Sequence, residues 1–114
     1  MVTIQRGDVV LCDLNPVVGT EQAGIRPVVV VQIDRANAAS PHTIIVPFTT
    51  KIRQALLPSH ALISSGSGGL RQDSVALCEQ IRVIDKRRIT KVLGHLDESD
   101  LEKIEKALGV ILGL

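Results

Sequence analysis

The stretch GTEQAGIRPVVVV, residues 19–31, runs a polar, glycine-flanked loop into Arg26, Pro27 and four valines. A guanidinium at the mouth of a buried strand is a planar fork of donors, the shape that grips two oxygens of a phosphate or carboxylate. A second apolar segment, HTIIVPFTT, closes on Thr49 and Thr50. Adjacent antiparallel strands set the start of one beside the end of the next. Arg26 and Thr49 are therefore expected side by side, with Glu21 hanging over them from the loop. Such a set can bind a phosphate and stabilise charge on it. It can also serve structure alone, with Arg26 paired to a carboxylate and Thr49 capping a turn.

Other chemistries find little support. His42, His60 and His95 are scattered singly, with no HxxxH or CxxC spacing, so no metal site is expected. No GxSxG, P-loop or GxGxxG occurs. The glycine-rich SSGSGG, residues 64–69, lacks the lysine and helix of a phosphate cradle. It reads as a mobile loop. Cys12 and Cys78 sit in apolar segments and read as buried, reduced thiols.

The elements that must position these residues are short. Val9 to Leu14 reads as a strand stopped by Asn15-Pro16. Pro27 to Ile33 is continuously apolar and expected to be buried on both faces, with Pro27 opening it. Ala36 to Pro41 reads as a connection and His42 to Phe48 as a strand. Ser59 to Ile63, Ser74 to Gln80, Arg82 to Ile84 and Ile89 to Leu93 add shorter strands. The period then changes. Leu101, Ile104, Leu108, Ile111 and Leu112 share one helical face. Ser99 with Glu102 forms a candidate capping box, and Asp97 is a rival cap. Many short strands and a closing helix predict a mainly β fold, a small, strongly bent sheet or partly open barrel.

With 114 residues and 45% hydrophobic content, the chain is expected to form one domain with a modest core. A formal net charge of +1 sets it apart from general polyanion binders, so nucleic-acid contact requires local clustering. MVTIQRGDVV does not read as a signal peptide, and no stretch approaches a membrane span, so a cytoplasmic protein is expected.

RGDVVLCDLNPVVGTEQAGIRPVVVVQ resembles the opening of the MazF/PemK family of toxin endoribonucleases. VPFTTKI (46–52) and DSVALCEQIRVIDKRRI (73–89) resemble the family's second and third motifs. The likeness covers nearly the whole chain, and the combination of GTEQAGIRP, VPFT and EQIR is specific. It implies an SH3-like, PemK-type β-barrel with a C-terminal α-helix, related to that of CcdB, in a homodimer. It also implies sequence-specific, metal-independent cleavage of single-stranded RNA, with messenger RNA as the expected substrate and no cofactor. Arg26 and Thr49 match the catalytic arginine and threonine, and Glu21 the glutamate of the EQ pair. Gln22, Thr50, Lys51, Arg53, Gln80 and Arg82 are assigned to substrate contact. A MazE-like antitoxin with an acidic, disordered tail is the implied protein partner.

The implied chemistry is physically coherent. The 2′-OH attacks the adjacent phosphate and leaves a 2′,3′-cyclic phosphate and a 5′-OH end. The high pKa of arginine favours electrostatic stabilisation over proton donation for Arg26. Thr49 would bond a phosphate oxygen, and Glu21 is the acid of the motif available as base. Single-strand binders usually stack bases on aromatic rings. Phe48 is the sole aromatic residue, so base reading should rest on hydrogen bonds and arginine planes. Arg82, Lys86, Arg87, Arg88 and Lys91 form one basic cluster and Lys51 with Arg53 another; together they could line a backbone track. Three rivals stand beside this reading. One is a CcdB-like toxin that binds a protein target such as gyrase. Another is an SH3-like peptide module, disfavoured for want of aromatics. The last is an inactive family member.

Overall fold

Strand β1 (Asp8–Asp13) pairs antiparallel with β2 (Ile25–Val30), Val9 opposite Val29 and Cys12 opposite Arg26. Val28, Val29 and Val30 are fully buried. Side chains alternate along a strand, so Val29 and Val31 enter an apolar cluster with Val9, Val46 and Phe48. Val28 and Val30 enter a second cluster with Val10, Leu14 and Ile45. The valine run is thus buried on both faces, as its composition predicts. The strand begins two residues earlier than expected and ends at Val30, which puts Arg26 inside it and makes Pro27 its third residue. Pro27 is tolerated there because pairing with β3 (His42–Thr49) starts only at Val28, opposite Pro47.

The computed structural model describes residues 3–52 and 56–114; Arg53 lies outside the described residues. The expected connection at 36–41 is instead a short helix, α1 (Asp34–Ala39). Six residues are too few to reveal a helical period. Buried Asn37 ties α1 to the sheet, donating to the Gln32 carbonyl at 2.9 Å and accepting from the Thr43 hydroxyl at 2.8 Å.

Strands β4 (His60–Ile63), β5 (Ser74–Leu77), β6 (Arg82–Asp85) and β7 (Ile89–His95) complete a seven-stranded sheet, ordered β4-β5-β3-β2-β1-β7, with β6 paired to β3. Strand β3 bends between two sub-sheets. His42 to Ile45 pairs with β6, while Phe48 and Thr49 pair with β5. Among the described residues the ladder does not join β4 to β7, so the architecture is a strongly bent, open sheet of the expected mainly β class. The strand predicted over 74–80 stops at Leu77, and Cys78–Gln80 turns away as a single 3₁₀ turn.

The glycine-rich loop is packed rather than free, contrary to its sequence reading. A Cβ at Gly68 would meet Val9 Cγ2 at 2.6 Å, and one at Gly69 would collide with the Leu93 carbonyl oxygen. Opposite them, a Cβ at Gly94 of β7 would lie 2.6 Å from the Gly68 carbonyl carbon. These glycines permit backbone-to-backbone contact.

Helix α2 (Glu98–Leu112) closes the chain. Asp97, not Ser99, caps it: its carboxylate accepts from the Asp100 N–H at 2.9 Å and the Ser99 hydroxyl also donates to it. Those bonds hold the Asp97 carboxyl below its usual range. Ile104 and Ala107 are buried, whereas Ile111 and Leu112 are exposed on this single chain. The predicted apolar face is therefore covered only over its first turns. No helix among the described residues is long and apolar enough to cross a membrane.

Candidate active site

The loop between β1 and β2 is held at its neck by main-chain and side-chain bonds. Leu14 N–H donates to the Gly24 carbonyl at 3.0 Å, and Gly24 N–H to Asn15 Oδ1 at 3.2 Å. Two arginines from the β6 side clasp it. Arg82 Nη1 donates to the Leu14 carbonyl at 3.2 Å. Arg88 Nη1 donates to the carbonyls of both Asp13 and Asn15. Gln80 reaches across from the 3₁₀ turn, its Oε1 accepting from Gln22 N–H at 2.7 Å. The stretch that carries Glu21, Gln22 and Arg26 is thus positioned by residues almost sixty positions away or more.

Arg26 is half-buried, and its orientation is set on one edge. Nε donates to the Ala23 carbonyl at 2.8 Å, and Nη1 donates to Gln22 Oε1. Nη1 also lies 3.5 Å from the Phe48 carbonyl oxygen, one residue before Thr49. Nη2 has no hydrogen-bond partner among the described residues. Continuing the register of Val28 opposite Pro47 brings Arg26 across from Thr49. The guanidinium is therefore locked through Nε and Nη1 while its remaining edge stays available.

Thr49 Oγ1 accepts from Lys51 N–H at 3.2 Å, which leaves the hydroxyl proton free to donate. Thr49 thus also caps the turn, as the purely structural alternative expects. Thr49 and Thr50 open to different sides. Thr49 lines a groove of about 270 Å³ together with Gln22, Lys51 and Gln80. Thr50 lines another, of about 380 Å³, floored by Leu11, Pro27 and Leu70.

Glu21 does not hang over Arg26. Its Oε1 accepts from Val18 N–H at 2.6 Å, closing a tight turn within its own loop. Gln22 stands beside the guanidinium in its place. The reason is local: a bond within the four-residue turn needs little chain ordering. The basic cluster is also largely committed. Besides Arg82 and Arg88, Arg87 pairs with Asp85 at 3.0 Å and Lys86 Nζ donates to the Asn37 carbonyl. The Asp85 carboxyl is drawn down to about 2 by its bonds to Arg87. The five cations therefore do not form a free track; Lys91 is exposed on β7.

Two side chains of this groove escape the sequence reading. His60 Nε2 lies 2.9 Å from Glu79 Oε2, and both residues line the groove beside Thr49. Glu79 falls inside the EQIR motif, which is the one clue to it. His60 stands 19 positions away, a separation with no periodicity to betray it. Among the described residues no three His, Cys, Asp or Glu side chains cluster as a metal cage.

Known proteins resemble this chain in sequence and in fold. A family model described as PemK-like, MazF-like toxin of type II toxin–antitoxin system matches residues 5–112. Endoribonuclease EndoA of Bacillus subtilis (strain 168) is 47% identical over 111 residues, covering 97% of this chain and 96% of that one. In fold, the chain is similar to MazF from Deinococcus radiodurans, with a TM-score of 0.84, 24% identity and full coverage of both chains. It is also similar to a mycobacterial endoribonuclease in complex with its cognate antitoxin, with a TM-score of 0.82, 24% identity, and 97% and 96% of the two chains covered. At that identity the solved structures speak for the fold alone, whereas the family model and the Bacillus relative span almost the entire chain, and the protein belongs to the PemK-like, MazF-like toxins of type II toxin–antitoxin systems.

Proposed function

We propose that the protein is an endoribonuclease toxin that cuts single-stranded RNA at specific sequences without a metal ion, leaving 2′,3′-cyclic phosphate and 5′-OH ends. The observation that carries this reading is the half-locked guanidinium of Arg26, oriented by Ala23 and Gln22 at the strand end that meets Thr49. A fork already ordered on one edge can grip the scissile phosphate with little further entropy loss. It stabilises the charge that builds on the phosphorane. The free hydroxyl proton of Thr49 donates to a phosphate oxygen. Glu21 is the base in this scheme, which requires loop 17–24 to release the Val18 contact and swing toward Arg26 when RNA binds. Lys51, Gln80 and Gln22 frame the groove for the flanking nucleotides, and Arg82 acts chiefly on the loop. Arg53 and Thr50 complete the assigned substrate contacts.

In the cell the activity would cut messenger RNA in the cytoplasm and arrest translation and growth. The exposed Ile111 and Leu112 offer an apolar surface for the homodimer. Neutralisation by a MazE-like antitoxin is part of this reading; the family and the antitoxin complexes solved for proteins of this fold support it. A gyrase-directed role like that of CcdB is less well supported, since the near full-length relative is an endoribonuclease.

The test incubates a mixed RNA with wild type, Arg26→Ala and Thr49→Ala and maps the ends. Wild type should leave cyclic phosphates at a short motif, and both variants should lose most of that activity. Uncut RNA with wild type, or equal cutting by both variants, refutes the reading.

A further inference from the structure

We propose that Asn15 is a positioning residue for cleavage: its side-chain oxygen holds the Ala23–Gly24 peptide in the orientation that aims Arg26. This rests on the ribonuclease reading above and adds to it a residue that acts on the guanidinium through the main chain.

A trans peptide unit is planar, with its C=O and its N–H pointing opposite ways. The carbonyl of Ala23 and the N–H of Gly24 belong to one such unit. Gly24 N–H donates to Asn15 Oδ1 at 3.2 Å. At the other end of the plane, the Ala23 carbonyl accepts from Arg26 Nε at 2.8 Å. Whatever fixes one end of the plane therefore fixes the other. Asn15 is itself held from both sides. Its N–H donates to Asp13 Oδ1 at 3.0 Å, an Asx-turn, and its carbonyl accepts from Arg88 Nη1. The residue is exposed, yet its backbone is tied on two edges, so Oδ1 stays aimed across the neck of the loop.

This peptide needs a brace because of the residue that follows it. Gly24 has φ +79°, and nothing lies within 4 Å of where its Cβ would stand. A peptide that precedes glycine can turn over by about 180°, the change that separates type I from type II turns. Glycine accepts φ of either sign, so it does not resist that motion. Turned over, the unit would set an N–H against Arg26 Nε in place of a carbonyl, donor against donor. Leu14 N–H holds the Gly24 carbonyl at 3.0 Å. That oxygen belongs to the next peptide unit, and holding it leaves the Ala23–Gly24 plane free to turn. The Asn15 acceptor is what selects the orientation in which the carbonyl faces Arg26.

The experiment measures single-turnover cleavage over a range of RNA concentrations for wild type, Asn15→Leu, Asn15→Ala and Asn15→Asp. Leucine keeps the size without the acceptor, alanine removes both without adding apolar bulk, and aspartate keeps the acceptor. Both acceptor-free variants should lower the maximal rate by about five- to tenfold, the equivalent of one hydrogen bond. The RNA concentration at half-maximal rate should stay within about twofold, because the contact is not made to substrate. Asn15→Asp should keep most of the wild-type rate. Asn15→Ala made on top of Arg26→Lys should cost nothing further, because lysine has no guanidinium Nε to orient; a residue that only stabilises the fold would cost the same in both backgrounds. A last measurement needs no activity. By NMR, the Arg26 Nε–H should exchange with water faster in the acceptor-free variants than in wild type or Asn15→Asp, each below its own melting transition. Wild-type rates in both acceptor-free variants, equal losses in the two backgrounds, aspartate as slow as alanine, or unchanged Nε–H exchange each overturn the proposal. Failure of wild type to leave cyclic phosphate ends removes the ribonuclease reading instead, and the exchange measurement still decides whether Asn15 aims Arg26.

Discussion

Replacing Arg26 by lysine keeps the charge and removes the fork. Two oriented contacts disappear with it, from Nε to the Ala23 carbonyl and from Nη1 to Gln22 Oε1. Each hydrogen bond of this kind contributes about 1 kcal/mol net, so folding should lose roughly 2 kcal/mol at most. For a chain of this size that lowers the melting temperature by about 4 °C per kcal/mol. The loss in the transition state is larger. A lysine ammonium on a flexible stem cannot place two parallel donors on a phosphorane, and removing one preorganised donor typically costs ~10²–10³ in rate. Arg26→Lys should therefore cut single-turnover cleavage by about that factor at a temperature where the variant is fully folded. Because the charge is conserved, the salt dependence of RNA affinity should barely change. Gln22→Ala should show a smaller loss, about tenfold, because it frees one edge of the guanidinium without removing it. A lysine variant that cuts within about threefold of wild type would refute the claim that geometry, not charge, is what position 26 supplies.

Arg88→Ala should slow cleavage by loosening the loop it clasps through Asp13 and Asn15, while the slope of log affinity against log salt stays constant. A slope smaller by about 0.7 would instead mark a phosphate contact on single-stranded RNA. Gly94→Ala should destabilise by about 1–3 kcal/mol in a denaturant titration, since its Cβ would lie 2.6 Å from the Gly68 backbone; unchanged stability would show that the loop yields. The two thiols are buried, and burial pushes Cys12 up to about 11 and Cys78 to about 12. They should resist iodoacetamide at pH 8 in the folded protein. Raised folded values mean that this share of stability is complete below the unfolded value near 9 and falls away as pH climbs from about 9 toward 11–12. A flat stability profile across that window would contradict their burial.

Much of this molecule was legible in its residues. Apolar runs of β-branched residues announced the strands, because a sheet buried on both faces admits little else. The change of period at residue 99 announced the closing helix. Arg26 and Thr49 were placed at facing strand ends by antiparallel pairing alone, and the register of Val28 with Pro47 agrees. Less was legible where the deciding partner is distant in sequence. Nothing along the chain says that the glycines of SSGSGG press against Gly94, or that Arg82 and Arg88 spend donors on the carbonyls of Leu14, Asp13 and Asn15. A basic run looks alike whether it faces solvent or clasps a loop.

The sequence by itself determined the class of fold, the family and the residue types at the site. These depend on local propensity and on motifs, which are properties of neighbours along the chain. Only the tertiary structure decided which atoms of those residues remain available. It turned Glu21 into its own loop, set Gln22 against Arg26 and brought His60 to Glu79. Hydrogen-bond capacity is finite for each group, and what a side chain can offer a substrate is whatever its distant neighbours leave unspent.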